Sequence, residues 1–183
     1  MAPTHQGTDI VHPVRVRDAT PLDVPAINGL YNALIPTTTV AWTEDLEPAQ
    51  VREAWLAKQH QEDNPVLVAE VEGAVVGFAS YDDFRDSTKW PGYRFTVEHT
   101  VHVATTHGGT GIGRALLEAL IERAVTQGKH VMIGAIDSAN TGSIRFHEHL
   151  GFAEVGRLIE TGFKFGRWRD VVFMQRKVAP PNG

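Results

Sequence analysis

The chain reads as an α/β domain: a mixed sheet of about seven strands with about four helices on its two faces. Three observations predict this class. A strand-like run ending at Val103 is followed by four glycines in six residues, Gly108, Gly109, Gly111 and Gly113, and then by a strongly apolar-periodic helix. Strands and helices alternate along the chain only in part, which argues for a mixed rather than an all-parallel sheet. Of 183 residues, 42% are hydrophobic and 21% charged, the make-up of one globular domain large enough for a real core. Residues 1–13 are polar, carry two prolines and are expected to be a loose tail. Residues 14–178 form the single domain, and 179–183 a second short tail.

The elements follow in order. Val14-Arg15-Val16-Arg17 alternates as a strand should. Thr20 can cap a helix carrying Leu22, Ile27, Leu30 and Leu34, which Ile35-Pro36 breaks. A second helix starts at Pro48, with Val51, Trp55 and Leu56 expected on its buried side. Pro65–Val71 and Ala74–Tyr81, joined by Glu72-Gly73, read as a hairpin. A polar loop from Asp82 to Gly92 leads to the central strand, Arg94–Val103. The third helix places Ile112, Leu116, Leu120 and Ala124 at helical spacing, and Gly128 can end it. Val131–Ile136 is a continuous apolar run, hence a strand buried on both faces. A helix from Thr141 to Leu150 stops at Gly151, and the strands Ala153–Gly162 and Arg169–Lys177 complete the domain.

Glycines between a strand and a helix let several backbone N–H groups point at one spot, where the helix dipole is positive, so the loop reads as a cradle for phosphate or pyrophosphate. A P-loop would need Lys-Ser or Lys-Thr after its last glycine, and Arg114-Ala115 stand there. A dinucleotide fingerprint would need a third glycine, and Gly111-Ile112-Gly113-Arg114-Ala115-Leu116 lacks it. The formal charge of −5 gives no general attraction to nucleic acid or anionic membrane. With no cysteine, disulfide scaffolds, thiol nucleophiles and thiolate metal sites are excluded. MAPTHQGTDIVHP has no apolar signal-peptide core and no later stretch is long enough to span a bilayer, so a soluble cytoplasmic protein is expected. His99 and His102 invite a metal reading, but on a strand they face opposite sides and no HExxH motif accompanies them.

Four motifs in one order carry a resemblance: the strand, the glycine loop, the amphipathic helix, and Asn140-Thr141-Gly142-Ser143-Ile144-Arg145-Phe146-His147-Glu148-His149-Leu150-Gly151-Phe152. Together they resemble the GNAT superfamily of acetyl-CoA-dependent N-acetyltransferases, over nearly the whole chain from about Val14 to Lys177. Thr96–Val103 and Gly162–Asp170 resemble the phosphinothricin and methionine sulfoximine N-acetyltransferase branch. The resemblance implies a splayed sheet, acetyl-CoA as co-substrate without a metal, and direct acetyl transfer to the α-amino group of a small amino-acid-like acceptor. It also implies a homodimer, with the C-terminal strands near the partner.

Such a transfer needs a bound acyl donor, a route for the ammonium proton, stabilisation of the oxyanion and a proton for the departing thiolate. The resemblance assigns the coenzyme A pyrophosphate to Gly108, Gly109, Thr110, Gly111, Ile112, Gly113 and Arg114; Gly108 stands where Arg or Gln is usual, so a side-chain contact is missing. Val101, His102 and Val103 would run beside the pantetheine like an added strand, with Asn140 and Ser143 as further cofactor contacts. By its own position Asn140 reads equally as a helix cap.

Glu98, a carboxylate in an apolar strand, is the candidate base; composition alone weighs this evenly against a salt bridge to Arg94 or a neighbouring Lys, and the resemblance favours the base. Alternation sets Glu98, Thr100 and His102 on one face and Val97, His99, Val101 and Val103 on the other, unless a bulge intervenes. His147 stands where most of the superfamily has a tyrosine that protonates the thiolate. An imidazole with pKa near about 6.5 exchanges that proton more readily than a phenol near about 10. His149 reads as a surface residue, and Trp42 and Trp90 as pocket lining. The loop before the central strand should border the acceptor: Arg85, Lys89 and Arg94 for an acidic group, Trp90 and Tyr93 for an aliphatic chain, with Pro91, Gly92 and Glu98 also expected at the substrate. A protein or peptide acetyltransferase, and a non-catalytic acetyl-CoA sensor, are the competing functions.

Overall fold

The computed structural model describes residues 13–178; both expected tails lie outside this range except for Pro13. Eleven regular elements follow the chain: β1 Arg15–Asp18, α1 Val24–Leu34, α2 Ala49–Gln61, β2 Val66–Val71, β3 Ala74–Asp83, β4 Thr96–Val103, α3 Ile112–Thr126, β5 Val131–Asp137, α4 Thr141–His149, β6 Ala153–Lys164 and β7 Arg167–Lys177. The seven strands form one sheet in the order β1-β2-β3-β4-β5-β7-β6. Every neighbouring pair is antiparallel except β4–β5, which is parallel.

The β2 strand shows why the sheet is covered on both sides. Leu67 and Ala69 join a core with α3 residues such as Leu116 and Leu120, whereas Val66 and Val68 join a second core with Ile27 of α1 and Leu56 of α2. Residues alternate between two apolar layers, so a continuous apolar run is what such a strand requires. The α3 helix packs closest at Gly77 of β3, where an added Cβ would lie 2.9 Å from the His102 carbonyl and 3.1 Å from Leu116.

The hairpins follow their turn chemistry. Glu72 and Gly73 both have positive φ, as do Phe165 and Gly166, the geometry of the two-residue turn that matches strand twist. The second of these turns corrects the sequence reading: β6 and β7 run on to Lys164 and from Arg167, so Gly162–Asp170 is the tip of a long hairpin rather than a gap between strands. Three further corrections concern side chains and one boundary. Leu22 is 90% exposed because Pro21–Asp23 forms a 3₁₀ turn before α1, fixed by the Thr20 N–H and hydroxyl donating to Asp23. Val51 is exposed, and the buried side of α2 is Arg52, Leu56 and Gln59. The central strand begins at Thr96, since Pro91–Tyr93 is a second 3₁₀ turn.

Candidate active site

The glycine loop delivers the chain from β4 into α3. Gly109 and Gly111 have φ of 75° and 87°, a region that side chains rarely enter, and Gly111 is the N-terminal cap of α3. Ala115 is the first amide to bond back into the helix, to the Gly111 carbonyl at 3.0 Å. The N–H groups of Ile112, Gly113 and Arg114 thus have no helical acceptor, and the helix dipole adds positive potential there. Gly108 is extended, so nothing in its backbone demands glycine. The Arg114 guanidinium turns to Glu118 at 2.9 Å on the exposed flank, and Thr110 donates to the His107 carbonyl. The residues present fit a pyrophosphate held by backbone groups.

Beside this loop the sheet opens. β4 and β5 pair only through Thr96–Glu98 against Val131–Ile133. Toward its other neighbour, β4 keeps an unbroken register of seven pairs, from Val97↔Asp83 to Val103↔Gly77. The Ala104 amide bonds Val76 of β3 and the Phe84 amide of β3's end bonds Thr96. By antiparallel alternation, the even-numbered residues of β4 direct their backbone toward β3 and the odd-numbered ones, Val101 and Val103 among them, toward the opening. No bulge shifts the strand, so the expected face assignment holds.

His99 and His147 meet on the α3–α4 face of that opening. Their rings stack at 5.1 Å between centroids, and Phe152 lies 5.4 Å from His99. His147 Nδ1 lies 2.7 Å from the Ser143 carbonyl, which can only accept, so Nδ1 carries the proton and Nε2 presents a lone pair. That Nε2, and both ring nitrogens of His99, are buried without a hydrogen-bond partner among the described residues. Both rings press on Gly134, where an added Cβ would stand 3.0 Å from His99 Nε2 and 3.3 Å from His147 Nε2. Burial, followed by the neighbouring histidines, depresses His99 to a pKa of about 3, and burial also lowers His147; both are neutral near pH 7. Asn140 caps α4 by accepting the Ser143 N–H at 3.1 Å and also lines the same cavity.

The other face carries Glu98, Thr100 and His102. Glu98 is half-buried and, among the described residues, has no hydrogen bond or ion pair; Arg94 instead donates to the Pro91 carbonyl and covers the Phe95 ring. Asp82 stands directly opposite Glu98 across β3–β4, held by the buried Gln59 amide at 3.1 Å. Burial, then the Asp82 charge, raises the Glu98 pKa, and burial raises Asp82 as well. His102 bonds the Thr100 hydroxyl at 2.7 Å and touches the rings of Phe78 and Tyr31; burial, then the charge of Arg52, lowers it to about 4.

Two cavities meet at this strand. One follows the β4–β5 opening past His99, Gly134, Asn140, Ser143 and His147. The other, about 360 Å³, lies under α1 and α2, bounded by Tyr31, Trp42, Glu47, Arg52, Trp55 and Asp82 among others. Both are lined by Val40, Thr100 and His102, so these three residues stand between the two. Arg85, Lys89, Trp90, Pro91, Gly92 and Tyr93 line neither cavity. Lys89 covers Trp90 and Arg85 lies over Phe84 and Tyr93, while Arg94 borders a further hollow of mixed charge with Lys58, Lys129, Glu62, Asp82, Asp83 and Asp86. Of the two tryptophans expected at the pocket, Trp42 lines it and Trp90 stands outside.

Sequence reasoning missed three features of the site. Arg52 and Glu47 line the α1–α2 cavity as an ion pair at 2.7 Å. Lys164, fully buried, donates to the carbonyls of Ile35, Thr38 and Ala41 at 2.8, 2.7 and 2.6 Å, fixing the loop that carries Val40. Gly162 lies against Trp42, whose ring would be 2.2 Å from an added Cβ. The helical spacing of Arg52, Leu56 and Gln59 is the one signal that could have placed Arg52 inward. Among the described residues no group of three His, Cys, Asp or Glu side chains could hold a metal ion, and no helix is long and apolar enough to cross a membrane.

The family model described as "Acetyltransferase (GNAT) family" matches residues 27–152. The chain is 44% identical over 166 residues to the L-methionine sulfoximine/L-methionine sulfone acetyltransferase of Pseudomonas aeruginosa, covering 90% of this chain and 95% of that protein. It is 36% identical over 182 residues to the phosphinothricin N-acetyltransferase of Streptomyces viridochromogenes, covering 92% of each. The crystal structure of a GNAT superfamily phosphinothricin acetyltransferase from Sinorhizobium meliloti in complex with acetyl-CoA superposes with a TM-score of 0.86 at 34% identity, covering 91% of this chain and 89% of that one.

Proposed function

The chain belongs to the GNAT family of acetyltransferases, and from that premise we propose that it transfers the acetyl group of acetyl-CoA to the α-amino group of a small amino-acid-like acceptor such as methionine sulfoximine, methionine sulfone or phosphinothricin. The observation that carries this reading is the pair of cavities that share Thr100 as a wall. A donor-side cavity between β4, β5 and α4 backs onto an acceptor-side cavity under α1 and α2.

When bound, acetyl-CoA supplies an acyl group activated as a thioester. The amides of Ile112, Gly113 and Arg114 hold the pyrophosphate, and the odd-numbered backbone of β4 pairs with the pantetheine arm. A β4 amide facing the opening stabilises the charge that develops on the acetyl oxygen. Glu98 takes the ammonium proton, directly or through water, its pKa raised by burial and the Asp82 charge in the direction a general base needs. His147 serves as the relay to the thiolate through Nε2: it takes the second proton, released from the amine nitrogen as the C–N bond forms, and burial makes the resulting imidazolium surrender it readily to the departing sulfur. Asn140 and Ser143 position the α4 end of the same wall.

The chain also associates as a homodimer through β6 and the hairpin tip. This edge strand exposes Val155, Leu158, Ile159 and Phe163, with Trp168 beside them, a long unpaired edge that a monomer would leave in water. Light scattering at micromolar concentration should give twice the chain mass. For the activity, the protein is incubated with acetyl-CoA and each of the three acceptors, a panel of protein amino acids and an N-terminal peptide; thiol release and the mass of the acetylated product are measured. Transfer to one of the three acceptors is expected. No thiol release with any amine, or release with the peptide alone, overturns the reading.

A further inference from the structure

The buried face of α2 contains a charge that packing does not require. Arg52 is 6% exposed, with its guanidinium between the rings of Tyr31 and Trp55 at 4.4 and 4.6 Å and 5.9 Å from Phe78. Its one charged partner, Glu47, meets the inner nitrogen Nε at 2.7 Å, at an angle outside that of a hydrogen bond. Glu47 is itself fixed by two backbone bonds with the Asn32 side chain, at 2.8 and 2.9 Å. Nothing among the described residues bonds the two outer nitrogens, Nη1 and Nη2. The space that Arg52 lines is the α1–α2 cavity. A guanidinium whose faces are covered by rings and whose outer edge is free is preorganised for a planar oxyanion, held by two parallel N–H···O bonds.

We propose that Arg52 is a specificity-determining residue that binds the carboxylate of the acceptor through Nη1 and Nη2. The inference rests on the acetyltransferase reading above and adds the chemistry of acceptor recognition to it. Scale and charge both fit. The guanidinium lies at the level of Phe78 and His102, two register pairs, about 7 Å by strand rise, from Ser80 and Thr100 between the cavities. An amine and its α-carboxylate oxygens lie a few ångströms apart, and a hydrogen bond adds about 3 Å, so the amine stays beside Thr100 while the carboxylate reaches Arg52. His102, held neutral by burial, leaves Arg52 the positive charge of this wall, and Asp82 at the other end suits the ammonium of a zwitterion. Arg85, Lys89 and Arg94, the cations the sequence offers for this task, face elsewhere.

The test compares methionine sulfone with its carboxamide, which keeps the amine and side chain but has no carboxylate. Wild-type protein should prefer the acid on the order of 10–100-fold in kcat/KM, most of it in KM, as expected for a charge-assisted pair. Arg52→Lys should shrink that preference, and Arg52→Gln should abolish it, with the acetyl-CoA-induced thermal shift retained. If the unpaired Glu47 unfolds the single variants, Glu47→Gln/Arg52→Met removes both charges together and serves the same comparison. Calorimetric titration of methionine sulfone into each protein without acetyl-CoA gives a second readout, with the acid's affinity falling by the same factor. An acid-to-amide preference unchanged in a folded variant overturns the proposal, as does loss of acid and amide in equal proportion, the mark of a purely structural arginine. Wild-type protein that acetylates no amine would sink the acetyltransferase reading instead, while the calorimetric comparison still decides the role of Arg52.

Discussion

Lys164→Met removes the terminal ammonium and leaves three backbone carbonyls without their donor. Lys164 reaches from the end of β6 to the carbonyls of Ile35, Thr38 and Ala41, so all three ammonium protons are used. Ile35 is the residue that ends α1, where the dipole is negative, so the lysine also acts as a helix cap supplied from across the fold. Hydrogen bonds to charged groups are worth about 1.5–3 kcal/mol each, but their sum is offset by the desolvation of the buried ammonium. Breaking such a buried set from one side costs about 3–5 kcal/mol. At about 2–4 °C per kcal/mol for a domain of this size, Tm should fall by roughly 10 °C. Thermal unfolding followed by circular dichroism measures this directly. Because Thr39 and Val40 line the donor cavity, and Val40 both cavities, the folded fraction should also show a raised KM for the acceptor. A Tm within about 2 °C of wild type would refute the reasoning, since no buried three-bond cap is lost that cheaply.

Four further outcomes are expected. Gly111→Val, at a φ of 87°, should abolish the thermal shift that acetyl-CoA produces; a folded variant with a normal shift would rule out the cradle. Glu98→Gln should reduce turnover on the order of 10²–10⁴-fold with acetyl-CoA binding intact, and the deficit should narrow as pH rises and free amine arrives already deprotonated. Because burial and Asp82 raise the folded pKa of Glu98 above its unfolded value, its stabilising contribution is complete in acid and is lost as pH rises through the folded pKa. Glu98→Gln should therefore unfold at higher temperature than wild type at pH 8, with the gap closing in acid; the opposite trend in a pH series of melts would contradict the burial argument. His147→Phe should slow turnover less than Glu98→Gln does, with the low-pH limb of the rate profile unmoved. Steady-state rates across pH decide this, and a shifted limb would assign that limb to His147.

The sheet was legible because strand signals are local. Seven apolar or alternating runs mapped onto seven strands, and the glycine cluster marked the turn into α3. The faces of β4 were legible too, since period two survives wherever register is unbroken. What escaped was polar burial. Helical periodicity looks for apolar side chains, so Val51 drew the eye on α2 while Arg52 and Gln59 are the residues turned inward. Their burial depends on Tyr31, Trp55 and Asp82, partners supplied by other elements, which no window along α2 contains. The acceptor loop misled in the opposite way. Arg85, Lys89 and Trp90 form a suggestive string, yet they stack on neighbours within the loop. Lys164 sat inside a quoted motif, but its carbonyl partners lie more than a hundred residues away.

That separation bears on how the domain is made. The contact between Lys164 and Ile35 closes a loop of 129 residues, and the Phe165 amide reaches Glu44 across 121. Ordering so long a chain segment is entropically expensive and slow, so such contacts are among the last to form. On a ribosome, α1, α2 and the first four strands emerge long before their clamp exists. The segment between the two helices must therefore wait for the final hairpin before its carbonyls are satisfied. Nearly the whole polypeptide has to be present before the acceptor cavity acquires its wall.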